Sequence, residues 1–499
     1  MKKIVSILFA GTLLFYLSAC KKSVLEKNPT DQIASETFWK TADDVQTALT
    51  GVYSIMLSTS SMNFGRCLWD GLSDIGYGYN SIDQGQITAT SGGVISGVYT
   101  DCYQGISRCN IFLANVDRAA SSVDTSTLNR AKGEVLFLRA EFYFTLTQFY
   151  GGVPLYTKPP TVDDSKIAQS TKDEVVAQVL ADLDVAIADL PDTTYTGHAV
   201  KASALALKAQ VLMHNQKWAD AANAANQIIS SGKFSLYNNY VNLFLSAGQD
   251  NNPEIIFSVR YLLPNAGNSA GNGSPEQLWA HGHSLSPIQQ FVDAFECTDG
   301  LPIDQSPLYD PNNQFKNRDP RLAATVIDFA TYTAKGAPIG ETGETWQTPY
   351  SVEKMVDWST MPVSWAQQSD QDYILFRYAQ VLLIYAECKN EESGPDQSVY
   401  NAVNQVRERP SVNMPPLPPG LDQAAMRIRI RHEREVELGM EGLRYWDIKR
   451  WKTAETVLPL IKDPGGQYRK FDPAKNYLWP FPQSELDVNP KLVQNPGYN

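Results

Sequence analysis

The sequence predicts a mainly α-helical protein, a scaffold of paired helices carrying an irregular, loop-rich insertion with short strands. Three observations lead to this fold class. Long segments place apolar residues at intervals of three and four, the spacing of one helix face. Small residues recur at the same spacing in two adjacent segments near the middle of the chain. Between residues 253 and 370, in contrast, Pro, Gly, Asn and Asp are dense and the apolar periodicity is broken.

The first predicted helix begins at Thr41, which can cap it, and Asp43 and Asp44 favour its first turn. One stripe of this helix is apolar, formed by Val45, Ala48, Leu49, Val52 and Met56. Further helices are predicted over residues 104–117, 125–149 and 172–190.

Residues 200–231 give the clearest signal of paired helices. Small residues line one face of each half, namely Ala202, Ala206 and Ala209, then Ala221, Ala222 and Ala225. Because small side chains let two helices approach closely, with Trp218 filling the gap, the pattern is typical of a tetratricopeptide-type hairpin rather than a generic helix pair. A similar pair is predicted over residues 376–390 and 399–409, and helices return over 423–452.

The start of the chain predicts a lipoprotein signal. Lys2 and Lys3 precede an apolar run over residues 4–17, and small residues lead to Cys20. The run is shorter than the ~20 residues of a membrane-spanning helix. We therefore expect a signal peptide over residues 1–19, a lipidated Cys20, and an anchor and tether over residues 20–40. Two helix-bearing regions follow, over 41–252 and 253–499, the second containing the loop-rich segment 253–370.

Composition narrows the function classes. Hydrophobic residues make up 43% and charged residues 19% of the 499, as in folded globular proteins. The net charge of −12, which becomes −14 without Lys2 and Lys3, argues against nucleic acid or anionic lipid headgroups as partners and suits a neutral ligand. Five cysteines remain beside Cys20, an odd number without a CxxC motif, which predicts buried free thiols and neither zinc nor redox chemistry.

Aromatic residues near turns are the best candidates for ligand binding. A flat ring covers the apolar face of a pyranose, while neighbouring amides and carboxylates bind its hydroxyl groups. Three clusters have both ingredients. The first contains Trp69, Asp70, Asp74, Tyr77, Tyr79 and Asn80. The second contains Trp279, His281 and His283, and the third contains Trp346, Trp358 and Trp365. For each ring, burial in the core is the alternative.

Two other patterns invite a catalytic or metal interpretation. The Arg- and Glu-rich run over residues 427–450 places Glu433 and Glu437 on one helix face, and Arg434 is spaced to pair with Glu437. We interpret this run as a buried ion-pair lattice without catalytic residues. His281 and His283 are too few for a zinc site, so no metal site is predicted. No cofactor is predicted, and structural calcium is left open.

Eight short segments, taken with the predicted signal, resemble the SusD/RagB family of outer-membrane nutrient-binding lipoproteins of Bacteroidetes. They are 137–144 (FLRAEFYF), 150–155 (YGGVPL), 299–303 (DGLPI), 317–321 (NRDPR), 430–438 (IRHEREVEL), 441–451 (EGLRYWDIKRW), 479–482 (WPFP) and 494–498 (QNPGY). The resemblance implies a scaffold of four tetratricopeptide-like helix pairs and an irregular region that carries much of the ligand site.

The resemblance also implies a function. A family member captures a glycan at the cell surface and delivers it to a SusC-like TonB-dependent outer-membrane transporter without acting on it chemically. One feature departs from the family pattern, because Lys21 and Lys22 follow Cys20 where acidic residues commonly signal surface export. Two alternatives stay open: peptide binding of the RagB kind, and a secreted glycoside hydrolase, which needs two carboxylates flanking a cleft.

The predicted anchor is tested by Cys20→Ala. We expect the variant to lose labelling by a radioactive fatty acid and to leave the membrane fraction, because several acyl chains contribute about 0.8 kcal/mol per buried CH₂. Ser23→Ala, three positions further on, is the matched control and should label normally. Acylation of the Cys20→Ala variant would contradict the assignment.

Overall fold

The computed structural model describes residues 38–57, 62–78, 82, 84–159, 161–162, 166–263, 284–335, 347–360 and 369–498. Helices dominate this part of the chain. In the first half they are α1 (Ala42–Tyr53), α2 (Val94–Asn115), α3 (Thr125–Tyr150), α4 (Lys172–Asp189), α5 (Lys201–His214) and α6 (Trp218–Ser230). In the second half they are α7 (Gln289–Ala294), α8 (Pro320–Thr325), α9 (Phe329–Ala334), α10 (Tyr378–Ser393), α11 (Gln397–Arg407), α12 (Gln423–Leu438), α13 (Arg444–Arg450), α14 (Ala454–Val457) and α15 (Gln483–Val488).

Short strands form two-stranded antiparallel sheets between these helices. The strands are β1 (Gly76–Tyr77), β2 (Ile255–Val259), β3 (Ser286–Pro287), β4 (Val326–Asp328), β5 (Tyr350–Val352) and β6 (Tyr373–Arg377). In the described residues β1 pairs with β3, β2 with β6, and β4 with β5. The predicted fold class, mainly α with a loop-rich insertion containing short strands, is confirmed.

The helices form one continuous stack. Neighbours in the sequence pack against each other from α2 through α6, and α1 packs on α2 and α3. The next neighbour of α6 in space is α10, which also packs on α11 and α12. The irregular segment between α6 and α10 is therefore an insertion between two helices that pack directly against each other.

Local sequence explains where several helices begin. Thr41 and Asp44 form a capping box at α1, in which the Asp44 backbone N–H donates to the Thr41 hydroxyl and the Asp44 carboxylate accepts from the Thr41 backbone N–H. Thr171 and Glu174 repeat the arrangement at α4. The small residues of the predicted hairpin Ala206, Ala209, Ala221 and Ala225 are buried where α5 meets α6. The paired-helix prediction for this segment is confirmed.

Three predicted boundaries are wrong. Helix α2 begins at Val94, ten residues early, because Gly93 turns the chain with a φ of 64° and an apolar stripe continues from there. Residues 373–377 are strand β6, since Phe376 pairs with Phe257 of β2. The helix predicted over 423–452 is broken after Leu438. At Gly442, φ is 84°, and a Cβ atom would lie 2.4 Å from the Arg66 carbonyl oxygen.

The five described cysteines Cys67, Cys102, Cys109, Cys297 and Cys388 are buried free thiols, as predicted. Burial raises the pKa of the thiol at Cys67 and at Cys102, so both stay protonated in the core. None of the helices in the described ranges combines the length and the apolar character that crossing a bilayer requires.

A buried ion-pair lattice holds the second half of the chain together. Its acids Glu433, Glu437 and Glu441 lie at intervals of four on α12 and the turn after it. Around Glu437, Arg321 donates at 2.9 Å, Arg377 at 2.6 Å and Arg409 at 2.8 Å. Burial raises the pKa of Glu437, but these three guanidinium groups outweigh it and hold that pKa well below its ordinary value.

The lattice extends to other elements through shared residues. Arg321 also bonds Glu433 and Asp319, and Arg377 also bonds Glu441. Its remaining members include Arg407, Lys354, Glu254 and Glu296. The interpretation of the 427–450 run as an ion-pair lattice is confirmed for these acids. The Arg434–Glu437 pairing is wrong, because Arg434 turns to Asp447 at 2.9 Å instead.

Glu437→Gln tests the lattice. We expect the free energy of unfolding to fall by about 3–5 kcal/mol, because the change leaves buried guanidinium charge uncompensated. The measurement is chemical denaturation monitored by circular dichroism.

The matched control for Glu437→Gln is Asp184→Asn. The Asp184 side chain is 62% exposed and pairs with Lys208 at the surface, so its loss should cost less than about 1 kcal/mol. Equal effects of the two substitutions would contradict a structural role for the lattice.

Candidate functional site

The short sheets connect residues that flank four segments predicted to contact the ligand. These segments are 79–81, 264–283, 336–346 and 361–368. Pairing of β1 with β3 places Tyr77 opposite Ser286. Gly78, the last described residue before 79–81, lies so close to Ser284 that a Cβ atom would be 2.9 Å from the Ser284 carbonyl oxygen. Ser284 is the first described residue after the segment 264–283. The ends of two predicted ligand segments are therefore in contact.

Residues near the two other segments are connected to the same sheets. The Thr348 hydroxyl donates to the Pro287 carbonyl at 2.7 Å, which ties the residues after 336–346 to β3. Strand β5 pairs with β4. Gln371 follows the segment 361–368, and its side-chain amide donates to the carbonyl of Met355, just after β5, at 2.7 Å. We call the strands β1, β3, β4 and β5 with these connections the loop framework.

Trp69 lies in the core, and the prediction that its ring is available to a ligand is wrong. The side chain has no exposed surface. Its ring centroid is 4.8 Å from that of Phe149 and 5.1 Å from that of Trp446, and the Arg66 guanidinium lies 4.9 Å away. The neighbouring glycines predict a loop from sequence. At Gly76, however, a Cβ atom would lie 2.9 Å from the Asp70 carbonyl oxygen, so glycine there permits close packing.

Asp70 and Asp74 are also occupied by the protein itself, which corrects their prediction as ligand contacts. The buried Asp70 carboxylate accepts from the backbone N–H groups of Gly442 at 2.9 Å and Arg444 at 3.0 Å. Burial raises the pKa of Asp70 to about 7, against the opposing effect of these N–H groups. Asp74 accepts both hydrogen bonds of a bidentate pair with the Arg444 guanidinium, each at 2.8 Å. The two carboxylates fasten the 62–78 segment to the start of α13 and to the turn before it.

Tyr77 and Trp358 lie on the loop framework itself. Tyr77 is largely buried on β1, where it packs with Ile288 and Ile461. Trp358 is half-buried, and its indole N–H donates to Glu353 at 2.8 Å. Trp69, Tyr77 and Trp358 are the aromatic residues predicted to contact the ligand that lie within the described ranges. Among these three, Trp358 is the most exposed.

Sequence reasoning missed the groups around Trp358. The Lys335 ammonium lies 4.3 Å above its ring and also pairs with Glu353, while Tyr332 packs edge-on at 5.6 Å. Burial raises the pKa of Glu353, and Lys335 opposes that effect. Lys335 directly precedes the segment 336–346, and Trp358 lies shortly before the segment 361–368. The cluster therefore connects residues that flank two of the segments predicted to contact the ligand. Lys335 and Glu353 are 18 positions apart with the strands β4 and β5 nearby, so no helical or strand spacing in the sequence indicates that they meet.

The remaining predicted contacts lie outside the described residues. They are Tyr79, Asn80, Trp279, His281, His283, Trp346 and Trp365. Within the described ranges, no group of three or more His, Cys, Asp and Glu side chains is arranged to hold a metal ion.

The stacked helices and the loop framework define a helical-scaffold protein with a loop-bearing face. Family comparisons agree for both halves of the chain. A model described as "SusD family" matches residues 253–498, and one described as "Starch-binding associating with outer membrane" matches residues 25–213. The chain belongs to the SusD family.

Individual relatives match over most of their length. "SusD-like protein P25" of Formosa agariphila is 27% identical and covers 100% of this chain and 99% of its own. "Starch-binding protein SusD" of Bacteroides thetaiotaomicron is 24% identical over 80% of this chain and 78% of its own. A solved SusD-like carbohydrate binding protein from Bacteroides fragilis superposes with a TM-score of 0.79 at 29% identity, covering 92% of this chain and 100% of that one.

Trp69→Ala tests the assignment of this ring to the core. We expect the free energy of unfolding to fall by about 3–5 kcal/mol, because the change leaves a large cavity among packed rings. The measurement is the denaturation midpoint. Trp358→Ala, at a half-buried ring, is the control and should cost about 1–2 kcal/mol. An unchanged stability of Trp69→Ala would contradict the burial.

Proposed function

We propose that this protein captures an oligosaccharide at the cell surface and delivers it intact to a SusC-like TonB-dependent outer-membrane transporter. In this proposal Cys20 carries the lipid anchor and residues 20–40 form the tether. The loop framework is the observation that carries the proposal. Each of the segments holding Tyr79, Trp279, Trp346 and Trp365 has at least one border at or within a few residues of positions that the framework joins.

The chemistry of these segments suits a neutral sugar. Indole and phenol rings cover the apolar face of a pyranose, and Asn, Asp and His side chains bind its equatorial hydroxyl groups. The net charge of −12 is compatible with an uncharged ligand. The Bacteroides fragilis relative, named as a carbohydrate binding protein, supports the same ligand class.

The two competing functions have less support among the described residues. Peptide capture at a sheet edge would use longer strands than β1, β3, β4 and β5, each of two or three residues. Hydrolysis would require two carboxylates flanking a cleft. Glu433 and Glu437, which sequence spacing singles out, are instead buried and paired with arginine, and the nearby Glu441 is buried and paired with lysine and arginine.

The proposal is tested by titration calorimetry against maltohexaose, laminarihexaose and a peptide pool. We expect saccharide binding, weakened in the variant Trp279→Ala/Trp346→Ala/Trp365→Ala. Each stacked ring contributes roughly 1–3 kcal/mol, a factor of about 5 to 150 in Kd.

Val185→Ala, on α4 and outside the loop framework, changes a residue that is 47% exposed; it is the control and should bind as the wild type does. Overnight incubation with the bound saccharide should give no shorter products. Binding of peptides only would favour the first alternative, and cleavage of the saccharide the second.

A further inference from the structure

A separate groove lies between α2 and the C-terminal segment that contains α15. Its volume is about 330 Å³, within the range of about 300–1,000 Å³ that small-molecule sites occupy. Tyr99, Tyr103 and Tyr156 line one part of it, and Glu485 lines another. We call it the tyrosine groove. None of its lining residues belongs to the loop framework.

The three tyrosine rings are held in fixed positions. Tyr99 and Tyr103 are one turn apart on α2, with ring centroids 4.7 Å apart, and Tyr156 packs edge-on to Tyr103 at 6.0 Å. The Tyr103 hydroxyl donates to the Pro154 carbonyl at 2.7 Å, which fixes that ring against the chain after α3. Tyr99 also packs edge-on to Tyr150, which anchors the group to the core. Preorganised rings bind a flat apolar face at little cost in conformational entropy.

Polar side chains with unused hydrogen-bonding capacity surround the rings. Thr100, Gln104 and Ser107 lie on the same face of α2. Within the described residues, these three side chains and the Glu485 carboxylate form no side-chain hydrogen bond or ion pair with the protein. The Glu485 side chain is half-buried, and burial raises the pKa of this group. A partly desolvated carboxylate without a cation gains from hydroxyl donors, whereas an anionic ligand beside it would be repelled.

We infer that the tyrosine groove is a second saccharide site, selective for uncharged sugar units over uronic or sulfated ones. The inference rests on the proposed function, because it extends the same ligand class to a second place on the molecule. In this site the half-buried rings of Tyr103 and Tyr156 contact the apolar face of the sugar. Glu485, Gln104 and Ser107 bind its hydroxyl groups.

The experiment compares four proteins by titration calorimetry with maltohexaose and laminarihexaose. They are the wild type, Tyr156→Ala, Glu485→Gln, and the loop variant Trp279→Ala/Trp346→Ala/Trp365→Ala. We expect two sites in the wild type and loss of one site, or at least about a tenfold weaker Kd for it, in Tyr156→Ala. Glu485→Gln should weaken the same site. Tyr156→Phe keeps the ring and should retain the site. Val185→Ala, on α4 and outside both sites, should leave both unchanged.

Melting temperatures of all variants separate loss of binding from loss of folding. If Tyr156→Ala melts early, Glu485→Gln carries the test, because it changes one half-buried side chain that has no partner within the described part of the chain. Sulfated and uronic oligosaccharides of the same length test selectivity, and binding of these at the groove with equal affinity would overturn it.

The outcomes distinguish the two proposals. Binding that is lost in the loop variant but unchanged in both groove variants overturns this inference and leaves the proposed function intact. Binding lost in the groove variants but not in the loop variant supports the groove and overturns the placement of the ligand on the loop segments. A wild-type protein that binds none of the saccharides overturns both.

Discussion

Charge neutralisation around Glu437 is the constraint on which the second half of the molecule depends. Three arginines from α8, from the end of β6 and from the chain just after α11 converge on one carboxylate with no exposed surface. Buried ions are tolerated only when each is paired and its hydrogen bonds are satisfied. The elements that supply them must therefore meet in one arrangement. Since the loop framework includes β4, which directly follows α8, the geometry of the loop-bearing face depends on these ion pairs.

Much of the helical scaffold was predictable because its cause is local. The apolar stripe of α1 and its Thr41 cap, and the alanines of α5 and α6, fix helix faces within a few turns of sequence. Prediction failed where a distant partner decides the conformation. Phe376 looks helical by periodicity but pairs with Phe257 in a strand. The helix predicted over 423–452 is interrupted by a turn after Leu438, in which the backbone at Arg66 lies close against Gly442.

The candidate site was less predictable for the same reason. Trp69 and Asp70 occur among glycines, a composition that surface loops share with tightly packed turns. Only the fold shows that Asp70 bonds Gly442, 372 positions away, and that Trp69 packs on Trp446. The only local indication of the tyrosine groove in the sequence is the spacing of four between Tyr99 and Tyr103. Its other wall comes from residues near the end of the chain, which spacing alone could not bring there.

The packing of α6 on α10 has a consequence for how the chain acquires its structure. These helices are separated by about 150 residues of sequence, and Glu254 bonds Arg409 at a separation of 155 positions. Closing so long a loop costs conformational entropy before these contacts form and stabilise the protein. Folding is slower for this reason. The first six helices therefore expose the face that α10 covers until the later ones have been synthesised, a period in which they are prone to aggregate.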